Sequence, residues 1–164
     1  MPKEKKTNAA RILDREGVEY ELIPYVVDPD DLSAEHIAAQ LGEPIEQVFK
    51  TLVLHGDKNG YFVCILAGDN EVDLKKAAKV SGNKKAEMIP MKELLPTTGY
   101  IRGGCTAIGM KMKFPVYVSQ EITDFPYVYV SAGQRGLQFK IRPQDLLRVA
   151  EATAADIIVD SQPS

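Results

Sequence analysis

Two strand-like runs joined by a tight turn constrain this chain more than any other feature of its sequence. Residues 48–55 (VFKTLVLH) and 61–67 (YFVCILA) are rich in β-branched, aromatic and aliphatic side chains. Between them stand Asp57, Lys58, Asn59 and Gly60. Asn-Gly is the strongest short hairpin signal, because both central positions of a type I′ turn need φ > 0. An antiparallel hairpin near the middle of the chain follows, and the rest of the fold must be arranged around it.

The flanking segments alternate between helix and strand signals. Thr7 or Asn8 caps a helix that ends near Glu16, with Gly17 beyond it. Residues 19–25 read as a strand. Ser33 caps a helix over 34–41, closed by Gly42. Asp73 caps another over 74–81, closed by Gly82. Residues 84–88 suggest a short strand and 90–95 a single helical turn. The segment 97–115 holds four glycines and no period, which marks it as a long irregular loop of the kind that often carries function. Strands follow at 116–119, 127–131 and 137–141, the last two joined by a turn at 132–136. Pro143 opens a final helix. Together these predict one α+β domain over 1–164. Its sheet is expected to be mostly antiparallel, curved and barrel-like, with helices around it. Residues 1–6 and 160–164 are expected to be flexible tails.

Composition narrows the functional classes. Of the 164 residues, 45% are hydrophobic and 26% charged, the balance of a soluble globular protein. The N-terminal MPKEKK lacks the apolar stretch of a signal peptide, and apolar runs fall far short of the roughly 18 residues that span a bilayer. A cytoplasmic protein is expected. The net charge of -3 argues mildly against RNA binding. Local basic groups nevertheless occur at Lys75, Lys76, Lys79, Lys84 and Lys85, at Arg102, Lys111 and Lys113, and at Arg135 and Lys140.

Lys50 is the most unusual residue of the hairpin. Strict alternation places Val48, Lys50, Leu52 and Leu54 on one face, so a charge shares an apolar surface. Such a lysine either reaches solvent from the strand end or faces a cavity, where it can hold a carbonyl oxygen or a phosphate. Tyr25, Thr51, Tyr100 and Ser131 are hydrogen-bond donors that either brace the fold or meet a substrate. Gly103 and Gly104 either make a turn or let backbone N–H groups approach a ligand as an oxyanion nest. Cys105 adjoins them, but no spacing ties it to His36 or His55 as a nucleophile would require. Cys64, within an apolar strand, reads as core. The histidine and cysteine spacing predicts no metal site, and no cofactor motif is present.

Four motifs in order, VFKTL at 48–52, DLKKAAK at 73–79, TGYIRGG at 98–104 and YVSAGQRGL at 129–137, resemble the YbaK/EbsC family of Cys-tRNA(Pro) deacylases within the prolyl-tRNA editing superfamily. The similarity covers nearly the whole chain. It implies that Lys50, Gly103 and Gly104 act in catalysis, and that Tyr25, Thr51, Tyr100, Ser131 and Arg135 bind substrate. It implies trans-editing of aminoacyl-tRNA at the acceptor end of tRNA(Pro), alone or in a ternary complex with prolyl-tRNA synthetase. Neither DNA nor membrane is among the implied partners. A non-catalytic module that binds tRNA or a synthetase is the other reading of the same motifs. Ala107 replaces a proline common in the family, and Gln138 stands where relatives can carry an acidic residue.

The resemblance also implies a substrate-assisted reaction. The thiol of the mischarged cysteine attacks its own ester, releasing the tRNA and a cyclic thiolactone, while the protein orients the groups. Editing is needed because cysteine and proline are similar in size. Discrimination worth about one methylene reaches only ~1–3 kcal/mol.

Overall fold

A computed structural model describes residues 6–160. The elements run α1 (Asn8–Arg15), β1 (Tyr20–Pro24), α2 (Ala34–Leu41), β2 (Phe49–Gly56), β3 (Gly60–Ala67) and α3 (Leu74–Val80). They continue with β4 (Ala86–Met88), α4 (Met91–Thr98), β5 (Val116–Ser119), β6 (Val128–Ser131), β7 (Leu137–Ile141), α5 (Pro143–Val149) and β8 (Ala152–Ala155). Local chemistry sets the boundaries. The side chains of Thr7, Ser33 and Asp73 each accept a hydrogen bond from an N–H of the following first turn. Gly42 ends α2 at φ 66°, where a side chain would strain the backbone.

The predicted hairpin is present, with β2 and β3 paired from Phe49–Ala67 to Gly56–Gly60. β3 lies at the centre of a sheet ordered β4-β2-β3-β5-β8. It is buried on both faces: Val63 and Ile65 join the main core with Phe49, Val118 and Phe139, while Phe62, Cys64 and Leu66 pack with Ala77 of α3 and Ile157. A second sheet is ordered β1-β7-β6 and is wholly antiparallel.

The barrel expectation is corrected: among the described residues, no sheet closes on itself. The two sheets pack together across the main core and are also joined by a parallel bridge, Val48 to Tyr129. Most strand pairs are antiparallel, as expected, but β3–β5 and β5–β8 are parallel. Parallel neighbours need a crossover. Here the segment between β3 and β5, which holds α3, β4 and α4, supplies one, and the segment between β5 and β8, which holds β6, β7 and α5, the other, so the sheet extends outward to β8. β8 was invisible in sequence because ATAA has neither alternation nor β-branched density.

Two other boundaries moved. α4 makes two turns instead of one and includes Pro96. The Thr98 hydroxyl donates to Leu94 O and Gly99 N–H to Leu95 O, closing the helix past the proline. β4 starts at Ala86 because the Asp57 carboxylate takes the N–H groups of Lys84 and Lys85. Both of those bonds hold the Asp57 carboxyl below the usual range, the Lys85 bond foremost. Lys6 pairs with Asp14 at 2.5 Å and Asp160 with Lys76 at 2.7 Å. The remainder of the expected flexible tails, 1–5 and 161–164, lies outside the described residues. Among the described residues, no helix is long and apolar enough to cross a membrane.

Candidate active site

A cleft of about 540 Å³ opens where β2, the start of α2, α4 and the loop after it converge on β6 and β7. Lys50, Thr51, Gly103 and Ser131 all line it. Residues as far as 81 positions apart in sequence are thus gathered on one wall. Tyr25, Tyr100, Gly104 and Arg135 do not line it.

Lys50 does not simply extend to solvent. Its ammonium donates to Asn70 O at 2.7 Å and to Gly68 O at 3.1 Å. An ammonium has three N–H bonds, so one remains for a ligand. Burial pulls the lysine below its ordinary pKa, while Glu35, Asp69 and Glu71 pull the other way. The carbonyls that fix Lys50 were not legible in sequence. Gly68 follows the end of β3. A Cβ there would lie 2.3 Å from Ala34 Cβ, so glycine lets α2 pack against the end of β3.

The paired glycines turn out to have different tasks. Gly104 N–H donates to Ile101 O at 3.0 Å, closing a four-residue turn. Gly103 occupies its third position at φ 85°, as a type II turn requires, and still faces the cleft. Gly104 packs against backbone. A Cβ there would lie 3.0 Å from Gln134 Cα and 3.1 Å from Arg135 N. Its amide is therefore committed to the turn and not free for an oxyanion. Gly104→Ala is expected to lower stability by roughly 1–3 kcal/mol, because backbone on both sides must yield. A urea melt showing no loss would contradict this packing.

Arg135 and Tyr100 brace the loop from behind. Arg135 Nε donates to Arg102 O at 2.8 Å, tying the 132–136 turn to the glycine turn. The Tyr100 hydroxyl donates to Ile108 O. Burial, with Cys105 beside it, pushes that hydroxyl up to about 12. Tyr25 packs with α2, Val48 and Tyr129, and its N–H donates to Gly136 O at 2.9 Å. Sequence could identify these residues as polar groups near the site but not which way they face.

Cys105 does line the cleft, yet burial pushes its thiol up to about 12. It is protonated at neutral pH and unsuited to nucleophilic attack. Neither histidine lines the cleft. His36 contacts Gln40 and Asp31, and His55 stacks edge-on against Tyr61. Cys105→Ala is expected to keep at least half of wild-type turnover; a folded but inactive variant would restore a cysteine nucleophile.

The basic groups are divided by the fold. Lys76 is engaged by Asp156 and Asp160, Lys113 by Glu151, and Lys140 by Glu21 and the Tyr127 ring. Arg102 stands exposed on the cleft wall, next to Gly103.

Comparison with known proteins places the chain in a family. The family model described as "Aminoacyl-tRNA editing domain" matches residues 28–149, a span that includes every cleft residue. The chain is 45% identical over 154 residues to the "Putative Cys-tRNA(Pro)/Cys-tRNA(Cys) deacylase EbsC" of Enterococcus faecalis, covering 94% of each. It is 28% identical over 86 residues to the proline–tRNA ligase of Fervidobacterium nodosum, covering 52% of this chain and 15% of the ligase. A solved structure described as "a putative trans-editing enzyme for prolyl tRNA synthetase" shares the fold with a TM-score of 0.80 at 24% identity, over 95% of this chain and 100% of the other. With the family model matching well over half of its length, this chain belongs to the aminoacyl-tRNA editing domain family.

Proposed function

We propose that the protein is a trans-acting deacylase that removes cysteine from mischarged tRNA(Pro), and from tRNA(Cys) as a further substrate. The observation that carries the reading is the grouping of Lys50, Thr51, Gly103 and Ser131 in one cleft. The 45% identity to the Enterococcus relative supports the substrate class.

The cleft wall presents donors for charge that develops on an ester. It offers no activated protein nucleophile, since the Cys105 thiol is held protonated. A substrate that supplies its own nucleophile fits such a wall. The cysteinyl thiolate attacks the carbonyl carbon of its own ester, forming a C–S bond. The C–O bond to the terminal ribose breaks, the tRNA oxygen takes a proton, and a four-membered thiolactone leaves. The free N–H of Lys50 holds the ester or terminal ribose, and backbone N–H groups around Gly103 meet the developing oxyanion. Thr51 and Ser131 orient the aminoacyl group. Arg102 at the rim is placed for a phosphate of the acceptor end.

The partial likeness to a proline–tRNA ligase supports a synthetase as partner in a ternary complex. The test is deacylation of Cys-tRNA(Pro), Cys-tRNA(Cys), Ala-tRNA(Pro) and Pro-tRNA(Pro) by the purified protein, with and without prolyl-tRNA synthetase. Preferential release from the two cysteinyl species is expected. Binding of these tRNAs without turnover would overturn the reading in favour of a non-catalytic module.

A further inference from the structure

Gln138 sits on the central strand of the three-stranded sheet, with Ile23 opposite on one side and Ser131 on the other. It is only 3% exposed, and it lines the cleft. Its Oε1 has no hydrogen-bond partner among the described residues. A buried acceptor without a donor destabilises a fold, so a side chain that gains nothing in the protein alone invites a ligand donor.

We propose that Gln138 is a positioning residue for the aminoacyl group, its side-chain oxygen accepting a hydrogen bond from the substrate's α-ammonium. This rests on the reading of the cleft as an aminoacyl-ester site. Because the tRNA must stay outside, the aminoacyl end is the part that reaches the inner wall. Its donors are a thiol, which is weak, and an ammonium, whose charged bond to a buried carbonyl is much stronger. Of the two cations lining the cleft, Arg102 is exposed at the rim, and Lys50 is turned onto two carbonyls and flanked by Glu35, Asp69 and Glu71, so a further positive charge is tolerated. The consequence is a filter: the site takes esters of free α-amino acids and disfavours those whose amine is absent or blocked by acylation.

The test uses 3′-cysteinylamino-3′-deoxyadenosine, a non-hydrolysable amide, and the same amide lacking the α-amino group. Calorimetry on the wild-type protein is expected to show roughly 10- to 100-fold tighter binding of the amine-bearing compound, the range of a hydrogen bond to a charged group. Gln138→Met keeps volume and removes the acceptor. It should bind both compounds alike, and its Tm should rise by about 2–4 °C as the unmet polar group is lost. Equal binding of the two compounds by wild type, or a lowered Tm in Gln138→Met, would overturn the proposal. If wild type keeps the amine preference but does not deacylate Cys-tRNA, the deacylase reading fails while this contact stands.

Discussion

Lys50→Met is expected to lower kcat/KM for Cys-tRNA(Pro) by roughly 100-fold or more while leaving the protein folded. The size follows from the loss of one preorganised donor to developing charge in a water-poor site, which costs about 10²–10³. Methionine keeps most of the stem that packs along β2 and removes only the ammonium. The fold should tolerate this because two effects oppose each other. The charge is partly buried and its pKa pulled down, so its removal relieves desolvation. Against this, the carbonyls of Gly68 and Asn70 lose their donor. A change in Tm of no more than about 5 °C is expected. The pH dependence carries a second signature. A lysine with a lowered folded pKa loses its proton below pH 10.5, so wild-type activity should decline on the alkaline side before free lysine would titrate. The sign for stability follows: the native state binds fewer protons than the unfolded chain in that window, so stability rises there with pH. Lys50→Met should lack both trends. Full deacylation by a folded Lys50→Met protein would remove Lys50 from the mechanism.

The substrate itself supplies the second large effect. Ser-tRNA(Pro) is expected to react at least about 10³-fold more slowly than Cys-tRNA(Pro). A free cysteine thiol titrates near 8.5, so roughly a tenth is thiolate slightly above neutrality, whereas a hydroxyl of ordinary acidity is scarcely ionised. Oriented intramolecular attack has an effective molarity of about 10⁵ M or more, so losing the attacking group loses most of the acceleration. Between pH 6.5 and 8.5 the Cys-tRNA rate should climb as the thiolate fraction grows. Single-turnover deacylation of both tRNAs at several pH values checks this. Equal rates would mean that the protein activates water, and the wall around Cys105 and Gly103 would need a base that the substrate-assisted route does not use.

Much of the fold was legible because its signals are local. Asn59-Gly60 specified the hairpin, Ser33 and Asp73 the helix starts, and Gly42 a helix end at positive φ. Parallel β5 and β8 were not, since the sense of a pairing depends on where a crossover returns the chain. The candidate site divides in the same way. Lys50 and Thr51 were identifiable as polar residues in an apolar strand, and Gly103 as a turn glycine. Their meeting in one cleft was not, because it joins β2 to a loop about fifty residues later.

The two hairpin strands at 48–67 and the turn between them were legible in sequence, since residue type and turn chemistry act between neighbours, but the turn itself is held from a later segment, the Asn83 side-chain oxygen accepting from the N–H groups of Lys58 and Asn59. Tertiary packing decided which polar groups face the cleft and which hold its wall. Gly104 and Gly103 are adjacent and chemically identical, yet one amide closes a turn against the 134–135 backbone and the other residue faces the cleft. Arg135 and Tyr100 are polar residues whose hydrogen bonds go to carbonyls behind the loop. Gln138 is an ordinary amide in a strand until burial removes every partner from its oxygen. Direction, burial and partnership of a side chain are set by distant segments, and only the assembled chain contains them.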